Sequence, residues 1–248
     1  MSEIQFLPLP GGERLAYRRT LGKGPNVFWL SGFKSDMSGT KASHLADWAR
    51  TEARGFLAFD YFGHGASSGD FLEGTIGRWK ADTLAAFDDL TEGPQVLVGS
   101  SMGGWIALLL ALARPESVHG LVLVAPAPDF TEDLIFERAT PEMRAAWDTA
   151  GVWHRPSAYG QPYPITRRLI EEARGHLLLR APIGVRAPVY ILHGMKDADI
   201  PYRRSLMLAE KLESDRVLVE FSKSGDHRLS NSRDLERLTR AVQAMAEG

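Results

Sequence analysis

The sequence predicts an α/β protein built on a mostly parallel, doubly wound sheet, and three observations carry that prediction. Short apolar runs recur along the chain at Val27-Phe28-Trp29-Leu30, Phe56-Leu57-Ala58-Phe59, Val96-Leu97-Val98, Leu121-Val122-Leu123-Val124 and Val189-Tyr190-Ile191-Leu192. Each is too short for a helix and reads as a strand buried on both faces. Between them lie stretches such as Ile76 to Leu90 and Met102 to Ala113, whose apolar residues recur at helical spacing. Strand and helix therefore alternate, which is how a parallel sheet covered by helices is written into a chain.

At the N-terminal end, extended stretches from Ile4 to Leu7 and from Arg14 to Arg18 flank Pro10-Gly11-Gly12, so the sheet is expected to begin with an antiparallel hairpin. The rhythm breaks between about residues 127 and 180. There Pro128, Pro141, Pro156, Pro162 and Pro164 punctuate short helical pieces rich in aromatic residues. A structureless connection of that length is foreign to a compact domain, so this stretch is expected to form a small helical cap inserted after one strand. The rhythm resumes at Val189 and ends with a helix from about Asp234; with no repeat or linker, residues 1–248 are expected to form one domain.

Composition narrows the function classes. With 29 basic against 31 acidic residues and a formal charge of -2, the chain lacks the excess of one sign that a nucleic-acid or anionic-membrane surface needs. The absence of cysteine excludes a disulfide framework, a thiolate nucleophile and cysteine-bound metal, and suits a reducing compartment. Met1-Ser2-Glu3-Ile4-Gln5 opens no basic-then-apolar signal pattern, and no apolar run approaches the roughly 18 residues of a membrane span. A cytoplasmic protein without a membrane span is the expectation.

Gly99-Ser100-Ser101-Met102-Gly103 fits G-x-S-x-G directly after one predicted strand and directly before one predicted helix. The turn such a segment makes is tight enough that only glycine fits two residues either side of the serine, which makes Ser101 the candidate nucleophile. Ser100, one residue out of frame, is its rival. A serine hydroxyl needs a base to take its proton, and His227 lies in a loop after the apolar run Val217-Leu218-Val219-Glu220-Phe221. The loop after Leu192 offers two carboxylates, Asp197 and Asp199, to orient that base, whereas Asp226 is better placed to cap its own turn. The N–H of Met102 is one expected donor to the oxyanion of a tetrahedral intermediate.

Asp60-Tyr61-Phe62-Gly63-His64-Gly65-Ala66-Ser67-Ser68-Gly69 resembles the Asp-x-x-Gly-His-Gly-x-Ser-x-Gly loop of α/β-hydrolases. With the Ser101, Asp197 and His227 segments, the resemblance runs along nearly the whole chain outside the expected cap. It implies the α/β-hydrolase fold and a serine hydrolase whose nucleophile, acid and base follow in that chain order. The family's usual His-Gly-x-x-Asp-x-x-Val/Ile-Pro pattern, matched by His193-Gly194-Met195-Lys196-Asp197-Ala198-Asp199-Ile200-Pro201, selects Asp197 over Asp199. Ser31-Gly32-Phe33-Lys34-Ser35 occupies the place of the family's His-Gly loop, with serine where histidine is common, and so offers the N–H of Phe33 as the second oxyanion donor.

Within that family, the segments Ser31 to Ala42, His193 to Asp197 and Gly225 to Ser230 are similar to the group containing the mitochondrial palmitoyl-protein thioesterase that also cleaves mycophenolic acid acyl-glucuronide. This resemblance implies hydrolysis of a small-molecule acyl ester or acyl thioester through an acyl-enzyme, with no metal and no organic cofactor.

Other residues are weighed beside these. Trp147, Trp153, Tyr159 and Tyr163 suit either an acyl pocket or the cap's own core, with Trp153 and Tyr159 the candidates for substrate contact. His64 is expected to shape its turn rather than to react. Arg167-Arg168 and Arg203-Arg204 suit an anionic substrate, but paired arginines on helices are expected at the solvated surface. No strand is followed by G-x-G-x-x-G with a later acid, and no histidine pair has zinc-ligand spacing, so dinucleotide and zinc chemistry are set aside. The same triad acting on another bond, as in a C–C hydrolase, peptidase or perhydrolase, and a non-catalytic binding protein on the same fold are the alternatives.

Overall fold

The computed structural model describes residues 2–156 and 161–248. Strands β1 (Gln5–Pro8) and β2 (Arg14–Thr20) form the expected antiparallel hairpin, with Gln5 opposite Tyr17 and Pro8 opposite Arg14. There follow β3 (Lys23–Leu30), α1 (Thr40–Thr51), β4 (Arg54–Phe59), α2 (Ile76–Leu90), β5 (Gln95–Ser100), α3 (Met102–Ala113) and β6 (Val118–Val124). A second group comprises α4 (Pro141–Ala150), β7 (Val152–Arg155), β8 (Tyr163–Thr166) and α5 (Arg167–Ala173). The chain then closes with β9 (Val189–Gly194), α6 (Arg203–Lys211), β10 (Val217–Ser222) and α7 (Ser232–Glu247). The main sheet runs in the order β1-β2-β4-β3-β5-β6-β9-β10. Its first two pairings are antiparallel and all pairings from β4 to β10 are parallel.

The apolar runs become strands because both their faces are covered. Val27 and Trp29 of β3, Val96 and Val98 of β5, and Val122 and Val124 of β6 point into one layer with Leu45 of α1 and Leu238 and Val242 of α7. The alternate residues Phe28, Leu30, Leu97, Leu121 and Leu123 point into the opposite layer with Trp79 of α2 and Trp105 and Ile106 of α3. Burying each such side chain stabilises the fold by about 1.5–3 kcal/mol. From Met102 to Ala111, α3 is buried all round, and so is apolar all round. Helix α1 was not singled out from the sequence because its buried positions, Ala42, Leu45 and Ala49, include two alanines that mark a face only weakly.

Residues 127–180 contain more than helices. A π-helical turn (Thr131–Phe136) leads to α4, whose first turn is capped by the Thr140 hydroxyl accepting from the Met143 amide at 3.4 Å. Gly151, in the left-handed region at φ 70°, ends α4. Strands β7 and β8 then pair antiparallel, an element too short and proline-interrupted to be read from periodicity. Trp147 is buried, and its indole N–H donates to the Ile165 carbonyl at 2.9 Å. The buried carboxylate of Asp129 accepts from the amides of Leu178 and Leu179, each at 2.8 Å, joining the end of this stretch to its beginning. Among the described residues, no helix is long and apolar enough to cross a membrane.

Candidate active site

The carboxyl ends of β3, β5, β9 and β10 point to one edge of the sheet, where their loops converge, the place where open α/β sheets bind ligands. At the end of β5, Ser101 adopts φ 54° and ψ -117°, a strained conformation for a residue with a side chain. The turn is forced by contact. A Cβ on Gly99 would collide with the Gly103 carbonyl, and one on Gly103 with the Leu30 carbonyl. Ser101 stands at the N-cap of α3, where a serine oxygen ordinarily accepts from the helix backbone. Here it makes no such bond. Its Oγ lies instead 3.1 Å from Nε2 of His227.

His227 Nδ1 lies 2.7 Å from Asp197 Oδ2. The carboxylate only accepts, so Nδ1 carries the hydrogen and Nε2 presents its lone pair to the serine hydroxyl. The other oxygen, Asp197 Oδ1, accepts from the amides of Asp199 at 2.9 Å and Ile200 at 2.8 Å. Burial alone would raise the Asp197 pKa. Hydrogen bonds from His193 and His227, the charge of His227 and the Ile200 amide outweigh it and hold the carboxyl far below the usual carboxylate range.

His193 is a residue that sequence reasoning treated only as part of a pattern. It is fully buried, with Nε2 3.1 Å from Asp197 Oδ2 and 3.0 Å from the Ile200 carbonyl, and Nδ1 2.7 Å from the Ser205 hydroxyl. Both Nε2 partners only accept, so His193 donates to the same carboxylate oxygen that receives His227. The His-Gly pair at the end of β9 was the available signal.

The loop after β3 brings Gly32 against the elbow: a Cβ there would lie 3.3 Å from the Ser100 carbonyl and 3.5 Å from Ser101 Cβ. Phe33 follows, its ring edge-on to Phe71 at 5.0 Å, Trp79 at 5.8 Å and Phe130 at 5.9 Å. Among the described residues, neither the Phe33 nor the Met102 amide has a protein acceptor. A cleft of about 200 Å³ opens on Ser101 and His227. Phe33, Phe130, Tyr163 and Ile165 give it an apolar wall, and Lys41 and Arg155 a charged rim. Burial, then the charge of Arg228, lowers the Lys41 pKa to about 8; its Nζ donates to the Arg228 carbonyl at 2.6 Å.

The remaining candidates separate clearly. Ser100 ends β5, and the His227 ring meets the hydroxyl of Ser101 rather than that of Ser100. Asp199 pairs with Arg155 at 2.8 Å rather than with the histidine, and Asp226 caps its own turn through the amides of Arg228 and Leu229. Among the described residues, Asp197, Asp199 and His227 are the group whose ligand atoms, within 4.8 Å of one another, are close enough to share a metal. These atoms already accept from His193, Arg155 and Ser101.

Trp153 shares its face of the β7–β8 pair with Arg155, Tyr163 and Ile165 but lies further along, its ring edge-on to Trp147 at 6.4 Å and away from the cleft lining. Trp153, a candidate for substrate contact, is thus outside the cleft lining, and Tyr163 and Ile165 of the same pair stand in it. Tyr159, the other candidate, lies outside the described residues. Arg167 pairs with Asp148 and Glu171, and Arg168 with Glu73, all on the surface. Arg204 departs from the expected surface position. It is buried, donating to the Pro128 carbonyl and to Asp133, each at 2.8 Å, because it ties α6 to the start of the inserted stretch.

Comparison with known proteins supplies relatives for this geometry. A family model described as "Alpha/beta hydrolase family" matches residues 27–241. The chain is 38% identical over 248 residues to "Palmitoyl-protein thioesterase ABHD10, mitochondrial" of Homo sapiens, covering 99% of this chain and 81% of that protein. The solved structure of "Alpha/beta hydrolase domain-containing protein 10 from mouse" superposes with a TM-score of 0.92 at 38% identity, covering 98% of each chain. A putative hydrolase from Agrobacterium vitis S4 gives a TM-score of 0.93 at 39% identity, covering 98% of this chain and 99% of that one.

Proposed function

Because the chain belongs to the alpha/beta hydrolase family and is an esterase or thioesterase, we propose that it cleaves small-molecule acyl esters or acyl thioesters with Ser101 as nucleophile, His227 as base and Asp197 as orienting acid. The observation that carries this reading is the continuous chain of contacts from Ser101 Oγ to His227 Nε2, 3.1 Å, and from His227 Nδ1 to Asp197 Oδ2, 2.7 Å. Ser101 Oγ bonds to the acyl carbon as its proton passes to Nε2. The N–H groups of Met102 and Phe33 hold the oxyanion. The tetrahedral intermediate collapses, and the alcohol or thiol leaves with the proton from His227. Water then attacks the acyl-enzyme, giving one proton to His227, and the carboxylic acid departs as Ser101 recovers its hydrogen. The negative charge of Asp197 favours the imidazolium formed at each attack.

In this reading residues 1–248 act as one domain in which the stretch 127–180 caps the site, with Phe130, Tyr163 and Ile165 meeting the acyl group. The relatives' name as palmitoyl-protein thioesterases supports the thioester as one substrate class. Their name also places them in mitochondria. The cysteine-free sequence suits the reducing cytoplasm, which is the compartment proposed here.

The test is hydrolysis of paired para-nitrophenyl esters and acyl thioesters by the wild type and Ser101→Ala, with labelling by a fluorophosphonate probe. Wild-type turnover and labelling, both lost in Ser101→Ala, are expected. Equal turnover in the two proteins would remove Ser101 as nucleophile, and turnover and labelling in neither would favour a binding protein on this fold.

A further inference from the structure

His64 is a buried histidine that the reaction steps above do not use. It lies in the loop between β4 and α2, and that loop grips the segment after β3 at three points. Asp60 Oδ1 accepts from the Met37 amide at 2.7 Å, the Tyr61 hydroxyl donates to the Ser31 carbonyl at 3.2 Å, and His64 Nε2 accepts from the Lys34 amide at 3.2 Å. On its other side, His64 Nδ1 lies 3.1 Å from the Phe62 carbonyl. An amide only donates and a carbonyl only accepts, so the ring is the neutral tautomer with its hydrogen on Nδ1. Rings of Phe71 at 4.9 Å, Trp79 at 5.2 Å and Tyr61 at 5.5 Å leave it no room to turn.

The bond it makes falls at a strained place. Gly32 to Ser35 is a turn closed by the Ser35 amide donating to the Gly32 carbonyl at 3.1 Å. Its third residue, Lys34, has φ 56°, a conformation that favours glycine. The Lys34 N–H bound to His64 lies one peptide beyond the Phe33 N–H, so this bond pins the turn on the far side of Phe33 while the Ser35–Gly32 bond closes it. The Phe33 ring packs on Phe71 and Trp79, which also hold the imidazole, so side chain and following amide are anchored to one platform.

We propose that His64 is a positioning residue whose Nε2 holds the Lys34 amide and thereby keeps the strained Gly32–Ser35 turn in the form that offers the Phe33 N–H to the oxyanion. The proposal rests on the reading of Phe33 as an oxyanion donor. Only a neutral imidazole supplies a donor to Phe62 and an acceptor for Lys34 from one rigid ring. Burial, opposed by the hydrogen bond to Phe62, lowers the His64 pKa to about 4 and keeps that form at neutral pH.

Two variants separate positioning from mere packing. In His64→Asn the side-chain amide nitrogen replaces Nδ1 and keeps the bond to Phe62 but falls short of Lys34. In His64→Gln the side-chain oxygen replaces Nε2 and keeps the bond to Lys34. With active sites counted by fluorophosphonate titration and para-nitrophenyl butyrate as substrate, His64→Asn is expected to lower kcat about 10-fold or more with KM within about twofold. Affinity for benzeneboronic acid, whose tetrahedral adduct fills the oxyanion site, should fall by about the same factor as kcat/KM. His64→Gln should stay within about threefold of wild type on both measures. Equal kcat in the two variants, or greater loss in His64→Gln, would overturn the proposal, as would loss of kcat with unchanged boronate affinity. Turnover persisting in Ser101→Ala would instead overturn the underlying reading, whatever the His64 variants do.

Discussion

The Ser101 hydroxyl meets Nε2 of His227 at 3.1 Å across 126 residues of chain. That contact exists because Ser101 occupies a helix N-cap without capping the helix, so its oxygen is left to the histidine. The elbow strain and the Ser101–His227 contact are thus two results of one turn.

Asp197 and Asp199 are two residues apart, and only Asp197 reaches His227. Asp197→Asn is expected to lower kcat about 10⁴-fold, through loss of the correct tautomer and of imidazolium stabilisation. Asp199→Asn, which releases a half-exposed pair with Arg155, should change kcat less than about threefold. Steady-state kinetics of the two variants check this; the reverse ranking would reassign the acid.

Gly103→Ala places a methyl group against the Leu30 carbonyl, in backbone that has no rotamer with which to yield. A loss of about 3 kcal/mol is expected, together with displacement of Ser101. Urea unfolding gives the first and fluorophosphonate labelling rate the second. A variant of wild-type stability would show that β3 and α3 can move apart.

His64 has a pKa of about 4 when folded, against an ordinary 6.5. Between those values the unfolded chain binds a proton that the folded chain does not, so stability falls as pH drops through 6.5 and the loss is complete below about 4. From pH 7 to pH 5 the wild type should lose about 2 kcal/mol more than His64→Gln. Lys34 and Asp36, the charged groups facing His64, are the same in both proteins and cancel in the difference. Urea unfolding at the two pH values supplies the comparison, and parallel losses would mean that His64 titrates normally.

Tyr163 and Ile165 line the cleft while Trp153 lies beyond it. Tyr163→Ala is therefore expected to alter the ratio of kcat/KM between short and long acyl esters by about 10-fold, and Trp153→Ala by less than about twofold. A chain-length series from acetyl to palmitoyl esters measures both ratios. A larger change in Trp153→Ala would place the acyl group along the outer part of β7.

Much of this protein was legible from the sequence because it is set by neighbours in the chain. Short continuous apolar runs predict β3, β5 and β6, and α2 and α3 appear with the same limits as their periodic runs. The Ser101 turn follows from glycines two residues away on either side. Helix α1 and the β7–β8 pair stayed hidden because buried alanines and prolines give no clear period. Tertiary structure alone decided that His193 donates to the carboxylate that meets His227, that Arg204 is buried, and that Trp153 faces Trp147 while Tyr163 faces the cleft. It alone brought His64 to the Lys34 amide. Each of these depends on where one loop lies against a distant one, and periodicity, which records only whether a side chain is buried, carries no information about which partner it is buried against.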